Sequence, residues 1–125
     1  MKEYEGRRPV IVIGGTAQHF LGEYMAGGVL AVLGLNLRPG QRHIAEFIGT
    51  GMHGGVIYVR GELEPYQLGL EVGQVPLEDE DWDLLRELVG SYCGHFGVDE
   101  AEVFAQPFTK LIPLSLRPYG RLYAY

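Results

Sequence analysis

The chain has 125 residues, a size typical of one domain with a single hydrophobic core. Ten Lys and Arg against sixteen Asp and Glu give a formal net charge of −6 at pH 7 and a pI near 5.1. Nucleic-acid affinity comes mainly from cationic side chains that displace counterions, so this charge argues against DNA, RNA and anionic membranes as partners.

The N-terminus and the cysteine content predict a cytoplasmic location. The first residues carry acids where an export signal needs positive charge followed by an apolar run. The most apolar stretch, residues 20–37, contains Glu23 and several glycines, which does not suit a membrane-spanning helix. The single cysteine, Cys93, cannot form an internal disulfide or supply an iron–sulfur or structural zinc site by itself.

Glycine is the compositional anomaly, with 19 of 125 residues, against a usual share of about 7%. Twelve of these glycines lie between Gly14 and Gly61. Residues 20–34 align with residues 47–61 at eight identical positions of fifteen, an offset of 27. Residues 10–14 align with residues 30–34 at an offset of 20, which leaves a seven-residue insertion around Pro39. The sequence therefore predicts a stacked repeat of about twenty residues.

Each repeat ends in a short β-branched run, at residues 10–13, 29–33 and 56–60, and we expect these runs to form three parallel strands. The paired glycines suit corners with positive φ or close backbone approach. We predict a mainly β fold, a short right-handed parallel β-helix with about twenty residues per coil. Inside it, Phe20 and Phe47, Met25 and Met52, Val29 and Val56, and Val32 and Val59 would stack. The alternative is a small antiparallel sandwich with glycine turns. The residues that define the motif are Gly22, Met25, Gly27, Gly28, Gly34, Gly49, Met52, Gly54, Gly55 and Gly61.

The character of the chain changes after Gly61, since residues 62–102 hold twelve acids and one base, Arg86. Residues 67–77 are expected to add an irregular strand. Apolar residues recur at helical spacing from Trp82 to Phe96 and predict a helix over 80–96, with Gly97 just beyond its end. The acids at its start suit a helix N-terminus and solubility rather than a binding site. A short second helix is expected from Asp99, ending before Pro107.

The last stretch, residues 108–125, is apolar and aromatic and carries three positive charges with no acid. Such a segment is rarely left in solvent, so it wraps over the acidic helix of its own chain or docks on another chain. We therefore divide the single domain into repeats at 1–78, a helical cap at 79–106 and an extended arm at 107–125. The residues predicted to make the arm an interaction surface are Phe108, Lys110, Pro113, Tyr119, Leu122 and Tyr123.

Several apparent motifs have simpler interpretations. Residues 49–54 satisfy G-x-G-x-x-G, but a strand follows them where a phosphate-binding loop needs a helix. Residues 79–83 resemble the start of a calcium loop, yet its glycine and final glutamate are missing. The four histidines lack metal-ligand spacing, although His19 and His53 could approach each other on neighbouring coils. Cys93, on the apolar stripe of the helix, is expected to be a buried, inert thiol. We predict no catalytic, cofactor or metal site.

The pattern Gly-x-x-Met-x-Gly-Gly-x-(Ile/Leu)-x-Val-x-Gly, in two copies, resembles the glycine-rich β-helix domain at the C-terminal end of the glutamate synthase large subunit. The same module is similar to the glycine-rich β-helix component of formylmethanofuran dehydrogenase. Phe108-x-Lys110-x-x-Pro113 and Tyr119-x-x-Leu122 are similar to the closing segment of glutamate synthase large chains, although the gap between Pro113 and Tyr119 is longer here.

In the glutamate synthase family an amidotransferase domain with an N-terminal cysteine and an FMN barrel with an iron–sulfur cluster carry the chemistry. Residue 2 here is Lys, and a (β/α)₈ barrel needs about 200 residues or more. The resemblance therefore implies a noncatalytic, free-standing subunit that braces amidotransferase-like and FMN synthase-like chains, or that self-associates as a homo-oligomer. Two alternatives stay open. One is a scaffold of a formylmethanofuran dehydrogenase complex, and the other is a small-molecule binding module or enzyme that uses Gln18, His53, Tyr58 and Arg60.

Overall fold

The structure, a computed structural model, describes residues 10–16, 19, 21–22, 27–35, 43, 45–50, 52, 54–69 and 72–113. Five strands and two α-helices lie within these ranges: β1 (Val10–Ile13), β2 (Val29–Val32), β3 (Val56–Arg60), β4 (Val72–Val75), α1 (Asp79–Phe96), α2 (Glu100–Val103) and β5 (Phe108–Pro113). A 3₁₀ turn spans Pro65–Gln67. The strands form one sheet in the order β1-β2-β3-β5-β4.

The three predicted repeat strands, β1, β2 and β3, pair in parallel. This pairing confirms the prediction of three parallel strands and excludes the antiparallel sandwich for this half of the sheet. Val29 lies beside Val56 and Val32 beside Val59, the offset of 27 expected from the repeat. Between β1 and β2 the register differs from the sequence alignment, because Val10 lies beside Val29 at an offset of 19. A shift of one residue exchanges the two faces of a strand, so Val12, aligned with Val32 in the sequence, lies instead beside Ala31.

The other half of the sheet is antiparallel. β5 pairs with β3 on one side, with Tyr58 beside Lys110, and with β4 on the other, with Val72 beside Pro113. The irregular strand expected in residues 67–77 is β4. The beginning of the predicted arm, with Phe108, Lys110 and Pro113, is therefore a strand inside the sheet. Tyr119, Leu122 and Tyr123 lie outside the described residues.

Each repeat forms one layer of the stack, which we call a rung. A second, shorter ladder connects the same three rungs on the other side of the repeats. Ile48 forms a parallel bridge with Leu68, and the Gly49 N–H donates to the Leu21 carbonyl at 2.6 Å. The Gly69 N–H donates to the Ile48 carbonyl at 2.7 Å. Three successive rungs are thus hydrogen-bonded along two walls, of which one is the β1–β2–β3 pairing and the other is this second ladder.

Helix α1 confirms the prediction of a helix and of its end. Gly97 follows its last residue with φ 68° and ψ 32°, the left-handed conformation that glycine adopts without strain. Its first residues form a capping box in which the Glu78 N–H donates to the Asp81 carboxylate at 2.7 Å. The short second helix is α2, and the Asp99 side chain accepts from the Ala101 N–H at its start.

The sheet buries both faces. One face packs on the inner side of the repeats, through residues that include Leu30, Val32, Ile48, Met52, Ile57, Val59 and Leu111. The other face packs on α1, through Val29, Ala31, Tyr58, Leu84, Leu85, Val89, Cys93 and Phe108. The helix predicted as a cap therefore covers a face of the sheet.

Two stacking predictions are wrong in detail. Val29 and Val56 do lie side by side, but they face α1 rather than the interior of the repeats. Phe47 is 49% exposed instead of buried in the stack. Phe20 and Met25 lie outside the described residues. A mainly β chain with a helix after the repeats is confirmed, in the form of a mixed sheet with α1 on one face.

Candidate functional site

The glycines of the repeat lie at matching corners of successive rungs. Three repeat-related pairs have positive φ: Gly22 and Gly49 at 71° and 76°, Gly28 and Gly55 at 86° and 85°, and Gly34 and Gly61 at 55° and 111°. The repeat in the sequence is therefore a repeat of left-handed corners, which residues with a Cβ adopt only at a cost. Of the other motif residues, Met52 is buried in the core of the repeats, and Gly54 is buried just before β3.

Gly28 and its neighbour Gly27 provide a matched pair for testing this geometry. Gly28 has φ 86°, whereas Gly27 is outside the positive-φ set, and a Cβ there would meet no atom within 4 Å. We expect Gly28→Ala to lower the free energy of unfolding by about 1–2 kcal/mol, the cost of a left-handed Ala. We expect Gly27→Ala to change it by less than about 0.5 kcal/mol. Urea unfolding of both variants measures the difference, and equal effects would contradict the assignment.

A buried polar cluster connects β3, α1 and β5. The Tyr58 hydroxyl donates to Asp81 Oδ1 at 2.5 Å, and the Lys110 ammonium contacts Asp81 Oδ2 at 2.8 Å. The Lys110 and Asp81 side chains are only 19% and 9% exposed. Burial alone would raise the pKa of Asp81, but the Glu78 N–H, Lys110 and Tyr58 hydrogen bonds and the Lys110 charge outweigh it and lower the pKa. Asp81 is therefore a buried carboxylate that ties three elements together.

Arg60 makes a second tie, at the other end of β3. Its guanidinium donates to the Val103 carbonyl at 2.6 Å, the Glu102 carbonyl at 3.0 Å and the Leu33 carbonyl at 3.2 Å. One side chain thus joins the end of α2 to the residue that follows β2. A planar fork of donors suits several acceptors at once, and an ammonium group reproduces that geometry poorly.

We expect Arg60→Lys to destabilise the chain by about 1–2 kcal/mol, since at most one of three charge-assisted bonds is retained. Arg86→Lys is the matched control, because Arg86 pairs with Asp83 on the surface, with side chains 64% and 74% exposed. Such a pair contributes about 0–1 kcal/mol. Thermal unfolding of the two variants tests the expectation, and an Arg60→Lys variant as stable as the control would refute it.

Gln67, in the 3₁₀ turn, and His43 form a second group of buried hydrogen bonds. The Gln67 amide donates to the His43 and Ala45 carbonyls at 2.7 and 2.9 Å, and its oxygen accepts from the Glu64 N–H at 2.8 Å. His43 Nε2–H donates to the Arg60 carbonyl at 2.8 Å. Burial and the Arg60 charge lower the pKa of His43, although the hydrogen bond to the Arg60 carbonyl acts in the opposite direction. This histidine is therefore a buried structural group.

The residues weighed for chemistry are placed as follows. Tyr58 is 2% exposed and bonded to Asp81, and Arg60 is bonded to three carbonyls, so both serve the fold. Gln18 and His53 lie outside the described residues. Cys93 is buried, and burial, with the nearby Glu100 and Asp99 charges, raises the pKa of its thiol. His19 is exposed and accepts from the Glu46 N–H at 3.0 Å.

Two further findings apply to the described part of the chain. No three His, Cys, Asp or Glu side chains there are grouped as ligands for a metal ion. The helices described there are too short or too polar to cross a membrane.

Sequence reasoning misses the roles of Asp81, Gln67 and His43. Composition groups Asp81 with the solvated acids, yet it lies three and four residues before Leu84 and Leu85 and therefore on the buried stripe of α1. That spacing is a usable signal. The partners of Gln67 and His43 are backbone carbonyls distant in sequence, for which no local pattern exists.

A mixed sheet whose parallel half is a glycine-cornered repeat, braced by a helix on one face, defines the class of this protein. Residues 5–116 match the GXGXG motif family, and the chain belongs to that family. It is 39% identical over 128 residues to a protein of Methanocaldococcus jannaschii described as uncharacterized protein MJ1350. The match covers 98% of this chain and 49% of that relative, so the chain spans about half the length of the curated relative it matches. No solved structure matches the chain.

Proposed function

We propose that this chain is a noncatalytic structural and interaction component of a glutamate synthase-like oxidoreductase. The observation that carries the proposal is the family match over residues 5–116, which covers the repeat and the sheet built on it. Family membership agrees with the resemblance of the glycine repeat to the C-terminal region of glutamate synthase large chains. The component acts in the cytoplasm in ammonia assimilation and glutamate biosynthesis.

The finer fold that we propose is a short right-handed parallel β-helix. Its support is the hydrogen bonding of three rungs on two walls, at Val10–Val29–Val56 and at Leu21–Ile48–Leu68. Matching positive-φ corners at offsets of 27 add to this support. In this fold the antiparallel strands β5 and β4 end the parallel stack on the β3 side.

A bracing role agrees with the chemistry of the polar side chains. Tyr58 and Asp81 are used in hydrogen bonds that join the sheet to α1, and Arg60 is used in hydrogen bonds that join it to α2. A binding module that used Tyr58 and Arg60 would have to break those ties. We therefore favour the structural component over the small-molecule binding module.

The partners that we propose are an amidotransferase-like chain and an FMN synthase-like chain, between which this component keeps the ammonia path closed. Self-association of this chain as a homo-oligomer is the second arrangement that we propose. Because Phe108–Pro113 is a strand of the sheet, contact with a partner through the arm belongs to the residues after Pro113. A truncation before β5 would remove a central strand, so the full chain must be used as bait.

The test is affinity purification from the native cytoplasm, with mass spectrometry of the co-eluting chains. We expect amidotransferase-like and FMN synthase-like chains to co-elute with the wild type and with Gly27→Ala, and to be reduced with the destabilised Gly28→Ala. Co-elution of formylmethanofuran dehydrogenase chains would assign the scaffold to that complex instead. Recovery of the same chains in equal amounts without the bait would contradict the proposal. A bound cofactor that absorbs visible light in the pure protein would contradict it as well.

A further inference from the structure

The sheet has an open edge at β1. In the described part of the chain, β1 is the first strand in the order of the sheet and pairs only with β2. Ile11 lies in register with Leu30, and Leu30 with Ile57, and their exposed fractions are 56%, 8% and 0% in that order. Exposure thus rises along this row towards the edge. One further strand beside β1 would bury Ile11 as β1 buries Leu30.

The side chains of β1 do not protect this edge. Edge strands that stay unpaired usually carry charged residues, proline or a bulge. The four residues of β1 are Val-Ile-Val-Ile, all β-branched and uncharged. The opposite edge differs, because β4 contains Gly73 and exposed Gln74 and is followed by Pro76. Glycine weakens a strand and proline cannot donate to a ladder, so β1 is the edge that suits pairing.

The end of α1 continues the apolar surface on the other face of the sheet. A Cβ at Gly14, the residue after β1, would overlap the Tyr92 hydroxyl, so Tyr92 lies directly against the end of this strand. The ring centroids of Tyr92 and Phe96 are 4.6 Å apart, and Phe96 is 67% exposed. Exposed apolar side chains therefore line both faces of the open edge, with Ile11 on one face and Phe96 on the other.

The acids of the two helices lie away from that edge. The acidic first turn of α1 is hydrogen-bonded to β3 and β5, whereas residues 88–96 and 10–16 contain no Asp or Glu. Glu100 of α2 lies near Gly90, which is about 200° around α1 from Tyr92 and so on another side of the helix. Two copies, each with a net charge of −6, therefore repel each other less through the β1 edge than through their acidic helices.

A second copy of the chain fits this edge because the pairing closes on itself. If β1 of one copy paired with β4 of the next, the contact would be heterologous and would build an open filament. Pairing of β1 with β1 of a second copy is isologous and stops at two chains. The two strands then run antiparallel and keep their faces. In the registers centred on Ile11 or Val12, Ile11 of each copy lies beside Ile11 or Ile13 of the other.

We propose that β1 pairs in antiparallel fashion with β1 of a second copy, which makes one continuous sheet from the two chains. Main-chain hydrogen bonds hold the pair, burial of Ile11 adds apolar contact, and Phe96 borders the joint on the α1 face. This pairing rests on the self-association in the proposed function and specifies the surface that it uses. It is tested on the purified chain alone, so its failure is distinct from a failure of co-elution with amidotransferase-like chains.

Sedimentation of the purified full chain over a range of concentrations measures the pairing. We expect a dimer for the wild type. Ile11→Lys should raise the Kd about a hundredfold, because two isoleucines per dimer lose their burial and a lysine at each edge opposes strand pairing. Ile11 is already half exposed in the single chain, so the fold should be retained, which circular dichroism verifies. Gln74→Lys is the matched control, since it places the same side chain on the other edge, and it should leave the Kd unchanged.

Amide hydrogen exchange gives a second measurement that needs no variant. Exchange in Val10–Ile13 of the wild type should slow as the protein concentration rises, since pairing covers the open edge. A monomer at all concentrations would overturn the proposal, as would a dimer in which exchange of β1 is independent of concentration. An Ile11→Lys variant that associates as tightly as the wild type would overturn it too. Association weakened by Gln74→Lys would show β1–β4 pairing between copies and would overturn the closed dimer.

Discussion

Replacing Asp81 with alanine is expected to lower the free energy of unfolding by about 3–5 kcal/mol, the usual cost of breaking a buried ion pair by removing one partner. The change takes away the acceptor of the Tyr58 hydroxyl and the counter-charge of Lys110 in one step. It also removes the side-chain half of the capping box at the start of α1. Chemical denaturation of purified protein measures the loss.

Asp83→Ala is the matched control for this change, two residues away on the same helix. Asp83 pairs with Arg86 at 2.9 Å, but both side chains are largely exposed. Its loss should cost no more than about 1 kcal/mol. Equal losses in the two variants would mean that the Tyr58–Asp81–Lys110 cluster does not hold β3, α1 and β5 together.

The same carboxylate predicts how stability depends on pH. The folded-state pKa of Asp81 is below its ordinary value, which is about 3.9 in an unfolded chain. The stability that it contributes is therefore fully present above about pH 4 and is lost as the pH falls through the lower folded-state pKa. The difference in unfolding free energy between wild type and Asp81→Asn should shrink as the pH is lowered from 6 to about 2. A difference that stays constant over this range would contradict the assignment.

Gly69→Ala is the second change expected to have a large effect. A Cβ there would lie 2.6 Å from the backbone nitrogen and Cα of Thr50, on the neighbouring rung. Backbone cannot move aside as the end of a flexible side chain can, so the two rungs must separate. Such overpacking typically costs 1–3 kcal/mol, and here we expect about 3 kcal/mol because the obstacle is backbone. Thermal and urea unfolding would both report it.

Gly94→Ala is the opposite case and serves as the control. Gly94 lies in α1, is exposed, and a Cβ there would meet nothing within 4 Å. Alanine in a helix should raise stability by about 0.5–1 kcal/mol. A Gly69→Ala variant as stable as wild type would show that the rungs are farther apart than the Gly69 N–H to Ile48 carbonyl bond implies.

The repeat strands are predictable from the sequence for a physical reason. Positive φ at a corner excludes most residues, so Gly28 and Gly55 stand at the same place in each repeat and mark the start of the next strand. Helix α1 is predictable as well, since its buried stripe has helical spacing and Gly97 supplies its left-handed end. In both cases a local backbone requirement leaves a local pattern.

The antiparallel half of the sheet is not predictable in the same way. β5 reaches β3 only after the chain has passed through β4, α1 and α2, and Phe108 pairs with Arg60 across 48 positions of sequence. Its apolar residues predict an interaction arm, because the local sequence does not show which strands β5 will pair with. The predicted register of β1 is wrong by one residue for a related reason, as glycine alignment fixes corners rather than pairing.

The candidate site is predictable in part. Its glycines are identified from the repeat, but the ties made by Asp81 and Arg60 depend on three-dimensional neighbours, in particular Lys110 and the carbonyls at the end of α2. The positive φ of Phe47, at 60°, is not predictable, since an aromatic residue at a repeated position is expected in the core.

Reconstitution tests most directly whether this chain is a noncatalytic component of a glutamate synthase-like enzyme. Glutamine-dependent glutamate formation is measured for the amidotransferase-like and FMN synthase-like chains with and without this chain, together with the ammonia released. We predict no turnover by this chain alone, and more glutamate with less free ammonia when it is added. Turnover by the chain alone, or an unchanged ratio of glutamate to ammonia on its addition, would contradict the account.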